Sequence, residues 1–235
     1  MGRWWDVEAR RGLALHSEGF IIPEQNVSLD AYVRAIESAK DRGLPVKLGL
    51  EVDYWPDKIE AVLELLEPYP FDFLIGSIHW IGGWSYDSIE VVDEWDRRGV
   101  ERTWNQYFEL ETQLAGSRAV DALAHVDVCK KLGFRPEIEP IHLYERVVAA
   151  AATSGTAVEI SSQGLRNPVG EIYPAPTFLK MFKEAGVPIT LASDAHRPEE
   201  AGWGHAEVIA AARAAGYTHH LRFDRRRRIE HPLPV

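Results

Sequence analysis

Short apolar runs that alternate with amphipathic stretches constrain this chain more than any other feature. Val46 to Val52, Phe71 to His79, Val120 to His125, Ala157 to Ser161 and Pro188 to Ser193 have the length and composition of strands. Leu29 to about Arg42, Asp57 to Leu66, Val100 to Leu114, Ile141 to Thr153, Ala175 to Ala185 and Ala206 to Ala215 carry helical periodicity. Ser28 is the expected N-cap of the first helix and Gly43 its stop, while Leu221-Arg222-Phe223 reads as a last strand. Repeated strand-then-helix units predict an α/β fold with a parallel sheet buried on both faces. An open doubly wound sheet and a closed barrel both satisfy that pattern. No GxGxxG or GxxxxGK[ST] sequence follows a strand, so the barrel is favoured over a nucleotide-binding open sheet.

A chain of 235 residues with no long linker after residue 28 is expected to form one domain spanning 1–235. Its net charge is −10 and its one dense basic run is Arg225 to Arg228, read as a solvated strand or tail. Nucleic acid is therefore not an expected partner, because neutralising phosphates takes a broad Lys/Arg face. The single cysteine, Cys129, excludes an internal disulfide framework and a Cys-only zinc site. No run of about 18 apolar residues suggests a membrane span, and no basic-then-apolar leader follows Met1, so a cytoplasmic location is expected.

Chemistry concentrates at the ends of the strand-like runs, where Glu51, His79, His125, Asp194 and His196 stand. In a parallel barrel the C-terminal strand ends meet on one face, so residues distant in sequence converge there. A lone strand-end histidine is more often a hydrogen-bonded structural residue than a ligand. Five such residues together reverse that expectation. Glu51 sits inside an apolar run, where an unpaired charge costs on the order of several kcal/mol and calls for a cation or partner. Imidazole and carboxylate donors suit zinc, manganese or iron, and a carboxylate can bridge two ions. His142, His205, His219, His220 and His231 read as solvated or capping groups. Trp80, Trp84, Trp95 and Trp104 read as packing and loop anchors, with a wall of a substrate pocket as the alternative reading of Trp80 and Trp84, which closely follow His79.

Gly49-Leu50-Glu51-Val52-Asp53-Tyr54, Ile75-Gly76-Ser77-Ile78-His79-Trp80, Ala124-His125-Val126-Asp127 and Ser193-Asp194-Ala195-His196 resemble, in order, successive motifs of the PHP (polymerase and histidinol-phosphatase) superfamily. The segment Glu159 to Pro174 is similar to one carried by histidinol-phosphatases, which selects that subfamily. The resemblance implies a distorted (βα)7 barrel holding up to three divalent ions. Glu51 would bridge two of them, His79 and His125 would complete the second, Asp194 would bind the first and His196 the third. Arg166 would clamp the phosphate of a small phosphorylated substrate, a task suited to its planar guanidinium. The implied reaction is metal-assisted hydrolysis of L-histidinol phosphate in histidine biosynthesis, with Asp194 or Asp127 taking up a proton and His196 orienting the leaving alkoxide. Another PHP phosphoesterase and a non-catalytic metal-binding remnant remain as alternatives.

The family opens with a His-x-His pair and a further histidine at the end of the second strand, and this sequence carries neither. The sole upstream histidine is His16, in unfamiliar surroundings. The expectation is therefore a chain that begins inside the family pattern, with about two βα units of roughly 30 residues each preceding it in relatives. On that reading the ion held by Glu51, His79 and His125 is the best retained. The chain as given would have little phosphatase activity, and an exposed barrel edge would favour a homo-oligomer.

Overall fold

The computed structural model describes residues 28–234. Helix α1 (Leu29–Asp41) starts where Ser28 accepts the Ala31 N–H at 3.1 Å and stops before Gly43, whose φ of 81° suits glycine. There follow β1 (Gly49–Asp53), α2 (Ile59–Leu66), β2 (Phe73–Ser77), a short α3 (Glu94–Arg98), the 18-residue α4 (Val100–Ser117) and β3 (Ala122–Leu123). Helix α5 (Ile141–Ser154), β4 (Ala157–Ser161), α6 (Pro176–Glu184), β5 (Ile189–Ala192) and α7 (His205–Ala214) complete the alternation, and β6 (His219–Asp224) and β7 (Arg227–Pro232) end it.

Strands β1 to β5 form one parallel sheet in sequence order. An order that never reverses is that of a barrel wall rather than a doubly wound sheet. Among the described residues β1 and β5 each pair with one neighbour, so the structure displays a five-stranded wall and not the expected seven-stranded closure. The last two strands depart from the parallel pattern. They are an antiparallel hairpin, of which the sequence suggested only the first strand.

Alternation along the strands separates two faces. Leu50, Val52, Leu74, Leu123, Val158 and Ile160 point outward into the main core beneath the helices. On α4, Trp104, Tyr107, Phe108, Glu111, Leu114 and Ala115 recur at helical spacing on the buried side. Phe108, Tyr144 of α5 and Phe178 and Phe182 of α6 continue this as an aromatic seam, with Tyr144 and Phe178 stacked at 4.2 Å. Trp95 stacks on Phe134 at 4.7 Å and meets Trp84 edge-on, so the long loop after β2 is anchored as a packed lobe. Gly76 allows α4 to approach β2 closely, since a Cβ there would meet Leu114 and Val120 at about 3 Å.

The N-terminal edge of the sheet is secured by aspartates that open one strand and cap the strand before it. Asp72 accepts the Leu48 N–H at 2.7 Å, and Asp121 accepts the Leu74 N–H at 2.8 Å. The hairpin locks both: Arg225 N–H donates to Asp72, and Arg226 lies 2.5 Å from Asp121. Leu221 and Phe223 cover the inner face against Phe73, Ala122 and Ala157. The Arg225 to Arg228 run is therefore a turn and strand fastened to the sheet, Arg228 also donating to the Gly155 carbonyl. All four side chains are exposed, as expected of a solvated surface strand, and the anchoring to Asp72 and Asp121 adds to that reading.

Candidate metal centre

The opposite, C-terminal edge gathers the residues that carry chemistry. Glu51 and Asp53 are two apart on β1 and share the inner face, while His79 lies two residues beyond β2 and His125 two beyond β3. One ligand atom from each of Glu51, His79 and His125 lies within 4.8 Å of the others. His125 Nε2 is 3.2 Å from Glu51 Oε1, and His79 Nε2 is 3.6 Å from the same oxygen. Asp194 follows β5 and brings Oδ2 to 4.0 Å from His125 Nε2. His125 and Asp194 both adopt positive φ, 23° and 47°, which non-glycine residues rarely do. Backbone strain at two converging side chains is characteristic of sites where orientation matters more than local comfort.

Asp53 fixes the direction of His79. Its Oδ1 lies 2.5 Å from His79 Nδ1, so that nitrogen carries the proton and Nε2 is turned towards Glu51. Ser77 Oγ adds a contact to Nδ1 at 3.2 Å. Burial works against a charged His79, but Asp53, Glu51 and Asp87 outweigh it and raise the imidazole pKa. Burial likewise opposes charge on His125, and Glu51, with Asp194 and Glu159 behind it, lifts that imidazole to about 10. Glu159, on the inner face of β4, is itself buried, which pushes its carboxyl up to about 8 against the pull of His125.

Two nitrogens and a carboxylate oxygen converging on one point, inside a cluster rich in negative charge, form a donor set that fits zinc, manganese or iron. Asp53 and Glu159 were not singled out from the sequence. Their signals were present: Asp53 lies at i+2 from Glu51, and Glu159 is a carboxylate inside an apolar strand, the same argument that marked Glu51.

The remaining expected residues surround this point. His196 stands outside the triad, half-exposed, with Nδ1 3.1 Å from the Asp194 carbonyl and its N–H donating to Glu200. Arg166 donates from one Nη to the carbonyls of Ser193 (2.9 Å) and Asp194 (3.1 Å), and its guanidinium lies over Trp203. Its other Nη is buried without a partner. Trp80 is half-buried beside Trp55, with ring centroids 6.5 Å apart. Asp127 is half engaged, with Oδ1 buried and without a hydrogen-bond partner. It pairs with buried Lys130 at 2.7 Å and accepts the Ala175 N–H, while Lys130 reaches Glu171 and the Ile172 carbonyl to pin the loop that bears Arg166. His220 is buried rather than solvated, whereas His142, His205 and His219 are exposed as expected. His16 lies outside the described residues.

Comparison with known proteins identifies the family. The PHP domain model matches residues 12–163. A protein of Deinococcus radiodurans named probable histidinol-phosphatase is 33% identical over 217 residues, covering 92% of this chain and 78% of its own. The histidinol-phosphatase of Bacillus subtilis is 24% identical over 206 residues, covering 76% of this chain and 74% of its own. The fold is shared with the histidinol phosphate phosphatase of Lactococcus lactis, solved with zinc, L-histidinol and phosphate, at a TM-score of 0.73 and 19% identity over 87% of this chain and 81% of that one. With a family model spanning most of the chain and the motif residues assembled at one sheet edge, this protein belongs to the PHP domain family.

Proposed function

We propose that the protein is a metal-dependent phosphomonoesterase that hydrolyses L-histidinol phosphate to L-histidinol and phosphate, a step of histidine biosynthesis. The observation that carries this reading is the meeting of Glu51, His79 and His125 at the C-terminal sheet edge, in a chain whose relatives are named histidinol-phosphatases.

Glu51, His79 and His125 would hold a divalent ion, with Asp194 and His196 as further ligands on the same side. A bound ion there supplies Lewis-acid activation of water and neutralises phosphoryl charge. The chain's own part is to orient and to exclude. Asp53 holds His79 in one tautomer, and buried Tyr86, which donates to the Ile78 carbonyl, steadies the backbone beside it. Asp194, next to His125 and only slightly exposed, would take up a proton, and His196 would orient the leaving alkoxide. Arg166 retains a buried, unpartnered Nη, a donor suited to a phosphoryl oxygen. Its second nitrogen meanwhile fixes the Asp194 backbone. Trp80 would wall the pocket with Trp55.

Phosphate release decides the reading. However low its turnover, the purified protein supplied with zinc or manganese should favour L-histidinol phosphate over an aryl phosphate and an oligonucleotide, and His125→Ala should remove the difference. Equal turnover of all three would point to a generic phosphoesterase.

A further inference from the structure

Glu111 lies on α4, outside the cleft, and has no part in the chemistry described above. It is fully buried, yet neither carboxyl oxygen has a hydrogen-bond partner. Native proteins rarely leave such a group unexplained, because burial removes it from water without replacement. Burial pushes its carboxyl up to about 8, with His125 as the charged neighbour that opposes the rise.

The helix face explains the proximity. Tyr107, one turn before Glu111 on the same side of α4, donates to the Val126 carbonyl at 3.1 Å. That contact seats this face against the segment His125-Val126-Asp127. The Tyr107 hydroxyl also lies close enough to Glu111 to join His125 in pulling its carboxyl pKa down. On the other side, His125 Nδ1 is buried and unpartnered, while Nε2 faces Glu51. His79 presents the completed version, with its outer nitrogen on Asp53 and its inner nitrogen towards Glu51. His125 therefore has the inner contact but no outer one, and Glu111 is the buried carboxyl of the α4 face that has His125 as a charged neighbour and both oxygens without a hydrogen-bond partner.

We propose that Glu111 is the positioning residue of His125, accepting its Nδ1–H when Nε2 engages a divalent ion and so fixing tautomer and ring orientation. Metal-ligating histidines commonly donate their second N–H to a carboxylate or carbonyl, and loss of that partner weakens metal binding. The inference rests on the reading of Glu51, His79 and His125 as metal ligands.

Zinc affinity measured by chelator competition, together with urea unfolding of the metal-free protein, tests it in Glu111→Leu and Glu111→Gln. Glu111→Leu should weaken zinc binding about ten- to hundredfold. Its metal-free stability should be unchanged or higher, since an unpartnered carboxyl gives way to an apolar group. Glu111→Gln should fall between, because its amide oxygen can still accept. In 15N-labelled histidine spectra of the zinc-loaded protein, the His125 Nδ1–H signal should shift in both variants. Glu51→Gln is the control. If it leaves zinc affinity unchanged, the metal reading itself fails. If it weakens zinc while both Glu111 variants bind as tightly as the parent, the assignment of Glu111 is overturned alone. Reduced metal-free stability with parental zinc affinity would make Glu111 a packing residue and overturn it equally. Should Glu111→Leu not fold, Glu111→Gln carries the same comparison.

Discussion

Replacing Asp53 by Asn should loosen metal at the centre while leaving the fold intact. Asp53 and His79 touch at 2.5 Å, and each side chain is 6% exposed, so the contact is shielded from water and salt. Asn keeps the shape and one acceptor but removes the charge. Loss of an outer carboxylate weakens metal binding about 10–100-fold, or roughly 1.4–2.7 kcal/mol. Ser77 Oγ, 3.2 Å from the same nitrogen, remains as an alternative acceptor and places the expected loss near the lower bound, about tenfold. A second effect acts in the opposite sense. Asp53 also raises the His79 pKa, so in the parent a proton competes with the ion at low pH, and Asp53→Asn relieves that competition. The ratio of variant to parent Kd should therefore grow as pH rises from about 6 to about 8.5. Zinc titrations against a chromophoric chelator across this range measure it directly. Equal affinities at the alkaline end, or a ratio that shrinks with pH, would refute the orientation argument.

Asp72→Ala should lower urea stability by about 2–4 kcal/mol, since it strips a partner from the buried Leu48 N–H and from Arg225 N–H and Lys40, while zinc affinity stays at the parental value. Burial opposes ionisation of Asp72, but Lys40 and the two N–H groups hold its pKa below the usual range. Its contribution is therefore present above an ordinary Asp pKa of about 3.9 and lost as pH falls through the lower folded value, which acid titrations of parent and variant would separate. The metal-free protein should lose stability as pH rises, because Glu111 and Glu159 titrate at about 8 against 4.5 and His125 at about 10 against 6.5. Groups with raised folded pKa values stabilise fully below the unfolded value and cease to do so above the folded one, so melts in chelator should decline through that window. Arg166→Ala should lower kcat/KM for L-histidinol phosphate and also cost about 1–3 kcal/mol of stability, through its bonds to the Ser193 and Asp194 carbonyls; unchanged stability would contradict those bonds. Gly164→Ala should destabilise by more than about 2 kcal/mol, since its Cβ would fall 1.9 Å from the Glu171 carbonyl oxygen, and calorimetry would show it.

Local rules made much of this architecture legible. Ser28 and Gly43 bracket α1, and β4 spans Ala157–Ser161 as the apolar run suggested. Strands defined by apolar length alone came out shorter. The run from Val120 yields only Ala122–Leu123, because Asp121 turns its side chain to the neighbouring strand and His125 enters the left-handed region, neither of which hydropathy encodes. Glu51, His79 and His125 were readable together with Asp194 and His196 because metal-type side chains recur at the ends of the apolar runs, and the family motifs grouped them by ion. Asp53, Glu111 and Glu159 escaped notice because their meaning depends on which residue of a distant element they face. The basic run of the hairpin is exposed, as read from the sequence, but its anchoring to Asp72 and Asp121 depends on a strand pairing that composition does not encode.

The aspartates at the N-terminal sheet edge also shape the electric field along the strands. Asp72 lies beside Lys40 and Lys47, and Asp121 beside Arg226, so that end is locally neutral. At the other end Glu51, Asp53 and Asp194 gather around two imidazoles, with Arg166 turned to backbone carbonyls. The sheet is thus polarised, negative where metal ligands converge and compensated where the strands begin. A divalent cation in solution is drawn preferentially to one mouth, and its capture rate should fall as added salt shortens the reach of that attraction, even where the affinity of the ligands themselves is unaltered.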